Sequence, residues 1–372
     1  MDSFMKRLTF LIFFLLSFSV LADELVLKKN HPDSYAVKKG DTLWDISEHF
    51  LNDPWKWPEL WGANPQVANP HLIYPGDVLT LIFVNGQPRL VKQEHKKKAV
   101  VHMSPHGRKI PKRSAIPIIE LSLIQSYLSQ NRVEKMEWIE QQPQVLGGER
   151  ESRYHARGDV IYIDSQLPVG EKLGIYEEGR EFVSSVSDEH LGRELILAAS
   201  GRVIESGSVS KVRLLSNVRE TEAGFKALPV DEEALMSAFY MPSAGNPSQT
   251  TKVIAVGNTQ REAGHLNVVY VDGGRHQGVM PGQVFDIMRE GDQIVIDSDD
   301  KPVQQRDRNI YDDFIATVSE ESAIRVPQTH RGNLIIFKSF EDVSLGLIML
   351  NDRPVRVDDM LASPKSLKLL IE

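Results

Sequence analysis

The sequence predicts an α+β protein: a small βααβ module near the N-terminus, then a mainly-β region built from two related β units. Three observations carry this reading. Between residues 31 and 84, two short β-type stretches bracket two segments whose apolar residues fall at helical spacing. Beyond residue 128, runs rich in Val, Ile and Tyr are punctuated by glycine, the grammar of strands joined by tight turns. Several of those runs recur in one order, which favours a repeated unit over chance.

The 372 residues are ample for two or three domains. A formal charge of −8 is ordinary and argues against nucleic acid as the main partner. The chain has no cysteine, which removes disulfides, thiolate zinc sites and every cysteine nucleophile.

At the N-terminus, Lys6 and Arg7 precede an apolar run from Leu8 to Leu21, with Ala22 before Asp23. That is the pattern of a secretory signal peptide over residues 1–22. The run is shorter than the roughly 20 residues a comfortable membrane span needs, an uncleaved anchor being the alternative. No lipobox cysteine is present, and cleavage would leave no transmembrane segment.

The module of residues 31–84 follows. Tyr35-Ala36-Val37 and Val78-Leu79-Thr80-Leu81 are its expected first and last strands. Asp41 or Thr42 caps the first helix, and Leu43, Ile46 and Phe50 point to a core. Pro58 opens the second helix, where a missing N–H costs nothing.

Residues 85–114 read as a basic, flexible linker. Nine Lys and Arg stand against Glu94, with Pro88, Pro105 and Pro111 interspersed, so little apolar surface offsets the entropy of ordering. A sharper alternative is contact with anionic envelope polymers. Residues 115–230 then hold a helix near Ile118–Leu128 and the first β unit. Residues 251–372 hold the second, with a polar insertion near 290–327, and Met241–Ser248 links the two by composition.

Three blocks match between the units. Val160-Ile161-Tyr162-Ile163-Asp164, then Gly170 and Leu173-Gly174-Ile175-Tyr176, matches Val268-Val269-Tyr270-Val271-Asp272, then Gly278, Gly282 and Val284-Phe285-Asp286-Ile287. Glu194-Leu195-Ile196-Leu197 matches Asn333-Leu334-Ile335-Ile336. Glu222-Ala223-Gly224-Phe225 matches Val357-Asp358-Asp359-Met360.

Catalytic signatures are scarce. The eleven histidines form no His-Glu-x-x-His and no His-x-His, so the usual zinc peptidase patterns are missing. Ser126 and Ser129 lack the lysine of a Ser-x-x-Lys motif. A lysozyme-like helical domain is not suggested by the β-rich C-terminal region. No metal and no cofactor is expected, and the chain reads as a non-enzyme. The alternative is a cell-wall hydrolase whose active site lies among ordinary carboxylates.

Two resemblances add to this. Residues 35–81, through Gly40-Asp41-Thr42-Leu43-Trp44 and Asn69-Pro70-His71-Leu72-Ile73-Tyr74-Pro75-Gly76-Asp77, resemble the LysM family, which binds the glycan strands of peptidoglycan. The resemblance implies a groove with Gly40, Asp41, Thr42 and Leu43 on one wall and Ile73, Tyr74, Pro75 and Gly76 on the other. Trp44 and Trp61 read as core, whereas Trp55 and Trp57 are left open between core and a stacking platform for sugar. The whole layout is similar to the type IV pilus secretin-associated LysM protein family, the C-terminal region resembling the C-terminal domain of a flagellar T-ring component. This second resemblance rests on Val268–Ile287 and Gly332–Met360. It implies a periplasmic, non-enzymatic adaptor that fixes an outer-membrane secretin, or a similar pilus-machine component, to the cell wall.

Overall fold

The computed structural model describes residues 25–61, 73–93, 124, 127, 131–230, 241–247, 251–257, 260–291, 293–296, 302–303 and 323–364. The segment read as a signal peptide, residues 94–114 and most of the helix read near 118–128 lie outside these residues. Among the described residues, no helix is long and apolar enough to cross a membrane.

The N-terminal module is built on a three-stranded sheet in the order β1 (Ser34–Ala36), β2 (Val78–Val84), β3 (Gln87–Lys92). Helices α1 (Leu43–Glu48) and α2 (Trp57–Trp61) stand between β1 and β2, with a 3-10 turn over Pro54–Lys56. Thr42, not Asp41, caps α1: its hydroxyl accepts the Asp45 N–H at 3.1 Å, and its own N–H donates to the Asp45 carboxylate at 3.0 Å. Leu43, Ile46, Phe50, Leu60, Ile73 and Leu79 fill the core together with Trp44, Trp55, Trp57 and Trp61.

β3 corrects the linker boundary. Residues 87–92 pair antiparallel with β2 from Val84↔Gln87 to Leu79↔Lys92, so the tether cannot begin at residue 85. Asn85 (φ 52°) and Gly86 (φ 80°) make the two-residue turn, both in the left-handed region such hairpins require.

The rest of the described chain is mainly β. The first unit has β4 (Asn131–Glu134), a short helix α3 (Met136–Glu140), and β5 (Val145–Gly148), β6 (Val160–Ile163), β7 (Lys172–Val183), β8 (His190–Glu205), β9 (Ser210–Asn217) and β10 (Lys226–Pro229). Its sheet runs β10-β7-β8-β9-β6-β5, with β4 paired to β8. The second unit has β11 (Ser243–Ala244), β12 (Val253–Val256), β13 (Glu262–Ala263), β14 (Val268–Asp272), β15 (Gln283–Arg289), β16 (Gln293–Ile296), β17 (Pro302–Val303), β18 (Ala323–Arg325), β19 (Thr329–Ser339), β20 (Val343–Asn351), β21 (Val355–Arg356) and β22 (Met360–Ala362). Its main sheet runs β15-β19-β20-β14-β12, and β22 pairs with β15. The strand orders correspond one for one. Within the segment read as a linker, β11 pairs parallel with β15. Within the insertion, β16 continues the β15–β19 hairpin by pairing with β18, and β17 adds to it.

The correspondence extends to single hydrogen bonds. Val145 N–H to Phe225 O (2.8 Å) has its counterpart in Val253 N–H to Asp359 O (2.8 Å). Gly158 N–H to Leu214 O (2.9 Å) corresponds to Leu266 N–H to Ile348 O (2.8 Å), and Gly170 N–H to Val203 O (2.9 Å) to Gly282 N–H to Ile336 O (2.7 Å). These bonds correct the sequence matching. Val160 and Val268 are equivalent as expected. Leu173, however, sits opposite Gly201 and Phe285 opposite Leu334, so Leu334 corresponds to Gly201 rather than to Leu195. The turn Glu222–Phe225 likewise corresponds to Arg356–Asp359, one residue earlier than the matched block.

The units meet through an arm. β7 and β8 run on past Tyr176 and Leu197 as a long hairpin, which lies on the outward face of the second sheet. There Phe182 and Tyr270 have ring centroids 4.7 Å apart, and Val133, Phe182 and Leu191 share a core with Tyr270, Phe337, Leu345 and Leu347. A buried polar group is enclosed with them. Glu194, 3% exposed, accepts from the Tyr270 hydroxyl, from Asn131 Nδ2 at 2.7 Å and from Arg180 Nε at 3.2 Å. The Arg180 guanidinium also lies 5.2 Å from the Tyr270 ring centroid and donates to Val256 O at 3.0 Å. Burial, then the Glu194 charge, pushes the Tyr270 phenol far above its ordinary value.

Removing one partner of such a group strands the other charge away from water. Arg180→Ala is expected to lower stability by about 3 kcal/mol, whereas the exposed Arg153→Ala is expected to leave the midpoint nearly unchanged. Urea unfolding followed by circular dichroism on the two variants measures this, and equal midpoints would remove the network as a determinant of the interface.

Candidate functional site

The two loops that face each other at one end of the N-terminal module repeat a single design. In the first, Lys38-Lys39-Gly40-Asp41, the Asp41 carboxylate accepts the Lys38 N–H at 2.8 Å. In the second, Tyr74-Pro75-Gly76-Asp77, the Asp77 carboxylate accepts the Tyr74 N–H at 2.9 Å. The third residue of each is a glycine at φ 98° and 96°, a conformation that side-chain-bearing residues resist. The aspartate of each turn thus holds the first N–H while glycine supplies the reversal.

The loops are also tied to one another. Val37 N–H donates to Asp77 O at 2.9 Å, and Gly76 N–H donates to Val37 O at 2.8 Å. Their separation is therefore set by backbone bonds that continue the β1–β2 ladder, whose register is Ser34↔Thr80 through Ala36↔Val78. Lys92 on β3 completes the second turn, its ammonium 2.7 Å from the Asp77 carboxylate and 5.6 Å from the Tyr74 ring centroid. The first turn has a matching brace. The Tyr35 hydroxyl donates to Asp41 at 3.0 Å, and its ring stacks on His49 with centroids 4.6 Å apart. Burial, then the Asp41 bond, pushes the Tyr35 phenol up to about 12.

The expected groove residues divide into two groups. Gly40 and Gly76 are exposed, and Asp41, Tyr74 and Pro75 are half-buried, so these five form the accessible rim. Thr42, Leu43 and Ile73 are 5%, 0% and 0% exposed. Thr42 acts as the α1 cap and the other two as core beneath the loops, so none of the three offers a side chain to a ligand in this conformation. Trp55 and Trp57, left open from sequence, are also buried, at 8% and 1%. No stacking platform is presented by the four tryptophans. Sequence reasoning missed the braces Tyr35, His49 and Lys92. Lys92 had a readable signal, since Asn85-Gly86 between two apolar runs marks a hairpin.

One cluster elsewhere has metal-ligand chemistry. His276, Glu341 and Asp342 offer ligand atoms within 4.8 Å of one another. Asp342 already accepts from Lys135 Nζ at 2.6 Å, from His276 Nδ1 at 3.0 Å and from Gln277 Nε2 at 3.2 Å. Burial works to raise its pKa, and those donors outweigh it and hold the carboxyl below its ordinary range. An ammonium at that distance makes this an ion-pair cluster between the units.

A βααβ module with two glycine-aspartate turns facing each other defines the class. Residues 35–81 match the LysM domain family. LysM is a carbohydrate-binding domain and carries no catalytic role of its own. The chain is also similar to a protein of Bacillus subtilis (strain 168) that bears the name "Uncharacterized protein YqbP", with 38% identity over 63 residues. That match takes in 14% of this chain and 29% of the relative, so the chain spans under a third of the relative's length.

The turn geometry gives a direct test. Gly76→Ala places a Cβ in a left-handed conformation and is expected to cost the module about 1–2 kcal/mol. Tryptophan fluorescence during unfolding reads this module selectively, because Trp138 is the only one of the five tryptophans outside it. An unchanged fluorescence midpoint would show that the turn does not depend on glycine.

Proposed function

We propose that this protein is a non-enzymatic adaptor that holds peptidoglycan through its N-terminal module and an envelope machine through its β region. The observation that carries the first half is the pair of linked loops. They present exposed backbone at Gly40 and Gly76 and a half-buried Tyr74-Pro75 surface, suited to N-acetyl groups that need backbone partners and small apolar contacts. The groove of this reading comprises Gly40, Asp41, Tyr74, Pro75 and Gly76, with Thr42, Leu43 and Ile73 as its foundation.

The second half rests on the layout. A basic hydrophobic N-terminus, a LysM module, a basic segment and a β region with matching units together resemble the secretin-associated LysM proteins of type IV pili. In this reading the chain works in the periplasm, the two units are a duplication of the T-ring-like kind, and residues 94–114 span between wall and machine. The partner is an outer-membrane secretin or another pilus-machine component. The wall-hydrolase alternative draws no support from the ion pairs around Asp342, which are already satisfied.

Replacing Tyr74 and Pro75 together with alanine is expected to weaken binding to purified sacculi at least about tenfold, each lost apolar contact being worth on the order of 1 kcal/mol. Co-sedimentation, with tryptophan fluorescence as the folding control, measures it. Undiminished sedimentation of a folded variant would move the glycan site away from these loops.

A further inference from the structure

The correspondence of the two units exposes an asymmetry in what covers them. In the second unit the outward sheet face is apolar and buried: Ile335, Phe337, Val343, Leu345, Leu347 and Met349 are all 3% exposed or less. The cover includes Phe182 and Leu191 of the β7–β8 arm of the first unit, together with Val133, Ile124 and Tyr127. The first unit has the same face, and among the described residues no arm lies on it. By the hydrogen-bond equivalences above, Ile204, Val209 and Leu215 occupy the positions of Phe337, Val343 and Met349. They are 39%, 43% and 43% exposed, and Leu146 on β5 adds a fourth apolar side chain at 49%. Four exposed aliphatic residues on one sheet face are a docking signature when an equivalent face in the same chain is already docked.

The remaining positions have changed character. Arg202, Lys211 and Arg213 replace Ile335, Leu345 and Leu347. Arg202 and Arg213 are direct cross-strand partners on this face, both exposed. Like charges directly opposite destabilise a sheet, so the arrangement gains from a nearby anion. Lys211 has Glu205 at 2.8 Å, which leaves the arginine pair as the cationic centre of the face.

The second unit has a segment at the position of the covering arm. Just as β7 and β8 continue into the arm, β15 and β19 continue past Arg289 and Thr329 into residues 290–328, where β16 pairs with β18. From 290 to 327 this segment carries ten acidic residues against four basic ones, a formal charge of −6. Its sign is opposite to that of the uncovered face. The geometry points to head-to-tail self-association, in which the acidic 290–327 arm of one copy covers the outward face of the first β unit of the next. The contact within the chain would then be repeated between chains. Such a heterologous contact closes into a ring or continues as a filament, according to the rotation per copy.

The absence of cysteine makes the test clean. Leu215→Cys and Asp300→Cys variants of the full chain each carry one thiol. When mixed and oxidised, they are expected to give a disulfide-linked pair containing one of each, at twice the chain mass, while Leu215→Cys alone is not. A Leu215→Cys adduct with itself would indicate a face-to-face dimer and overturn the proposal. So would an intramolecular disulfide in a doubly substituted chain at low concentration, seen as a single-chain mass with both thiols blocked to alkylation, which would mean that the arm covers its own first unit. In sedimentation velocity the unmodified chain is expected to associate beyond a dimer as concentration rises, and less so at high salt. Arg202→Glu with Arg213→Glu should weaken association at least about tenfold, with circular dichroism unchanged. Adding Asp299→Lys and Asp300→Lys should restore part of it. A chain that stays monomeric at about 100 μM in low salt would sink the proposal, whatever the variants do.

Discussion

The apolar outward face of the second sheet is the constraint on which the C-terminal architecture depends. Tyr270, Phe337, Leu345 and Leu347 cannot face water without losing on the order of 2 kcal/mol each, so something must lie on them. The chain meets this by extending one hairpin of the first unit across the second. The extension brings Arg180 and Glu194 into the covered zone, and their charges are tolerated because Tyr270, Asn131 and a backbone carbonyl complete their hydrogen bonds. Hydrophobic coverage thus sets that the units associate, and the enclosed polar group sets their register. Lys135 with Asp342, and Ser184 with Asp272 at 2.5 Å, continue the polar seam along one edge.

The same economy appears at the other end of the protein. The N-terminal module places its exposed surface on two turns of one design, and each turn is braced by a side chain outside it, Tyr35 on β1 for the first and Lys92 on β3 for the second. A shallow site made largely of backbone needs such bracing, because backbone donors and acceptors are useful to a ligand only when their spacing is fixed. The buried layer of Leu43, Ile73 and the tryptophans below gives the loops a rigid floor. Exposure and support therefore fall to different residues within the same motif: glycine and the Tyr-Pro pair to the surface, threonine and isoleucine to the support.

How much was legible from sequence follows from the kind of signal each feature leaves. The βααβ order could be read because Gly-Asp turns, a Thr-x-x-Asp cap and Pro58 mark element boundaries locally. β3 was lost because nine cations and three prolines dominate the composition of residues 85–114, although Asn85-Gly86 gave the hairpin away. The repeat was visible, but its alignment slipped by six residues in one strand. Apolar alternation has a period of two, so any even shift reproduces the pattern equally well. Only the ladder, with Leu173 opposite Gly201 and Phe285 opposite Leu334, selects one alignment.

The amino-acid sequence by itself determined much of the local alphabet: the long apolar strands, the glycine turns between them, that the N-terminal module is a LysM, and that no thiol chemistry is available. These depend on neighbours a few residues apart. The tertiary structure alone decided which side chains of the turn motifs face outward, since Thr42 and Ile73 look like surface residues until helix and sheet close over them. It also decided that one β unit is covered and its counterpart is bare. Burial is a property of what packs on a face from far along the chain, and a strand sequence carries no record of its cover.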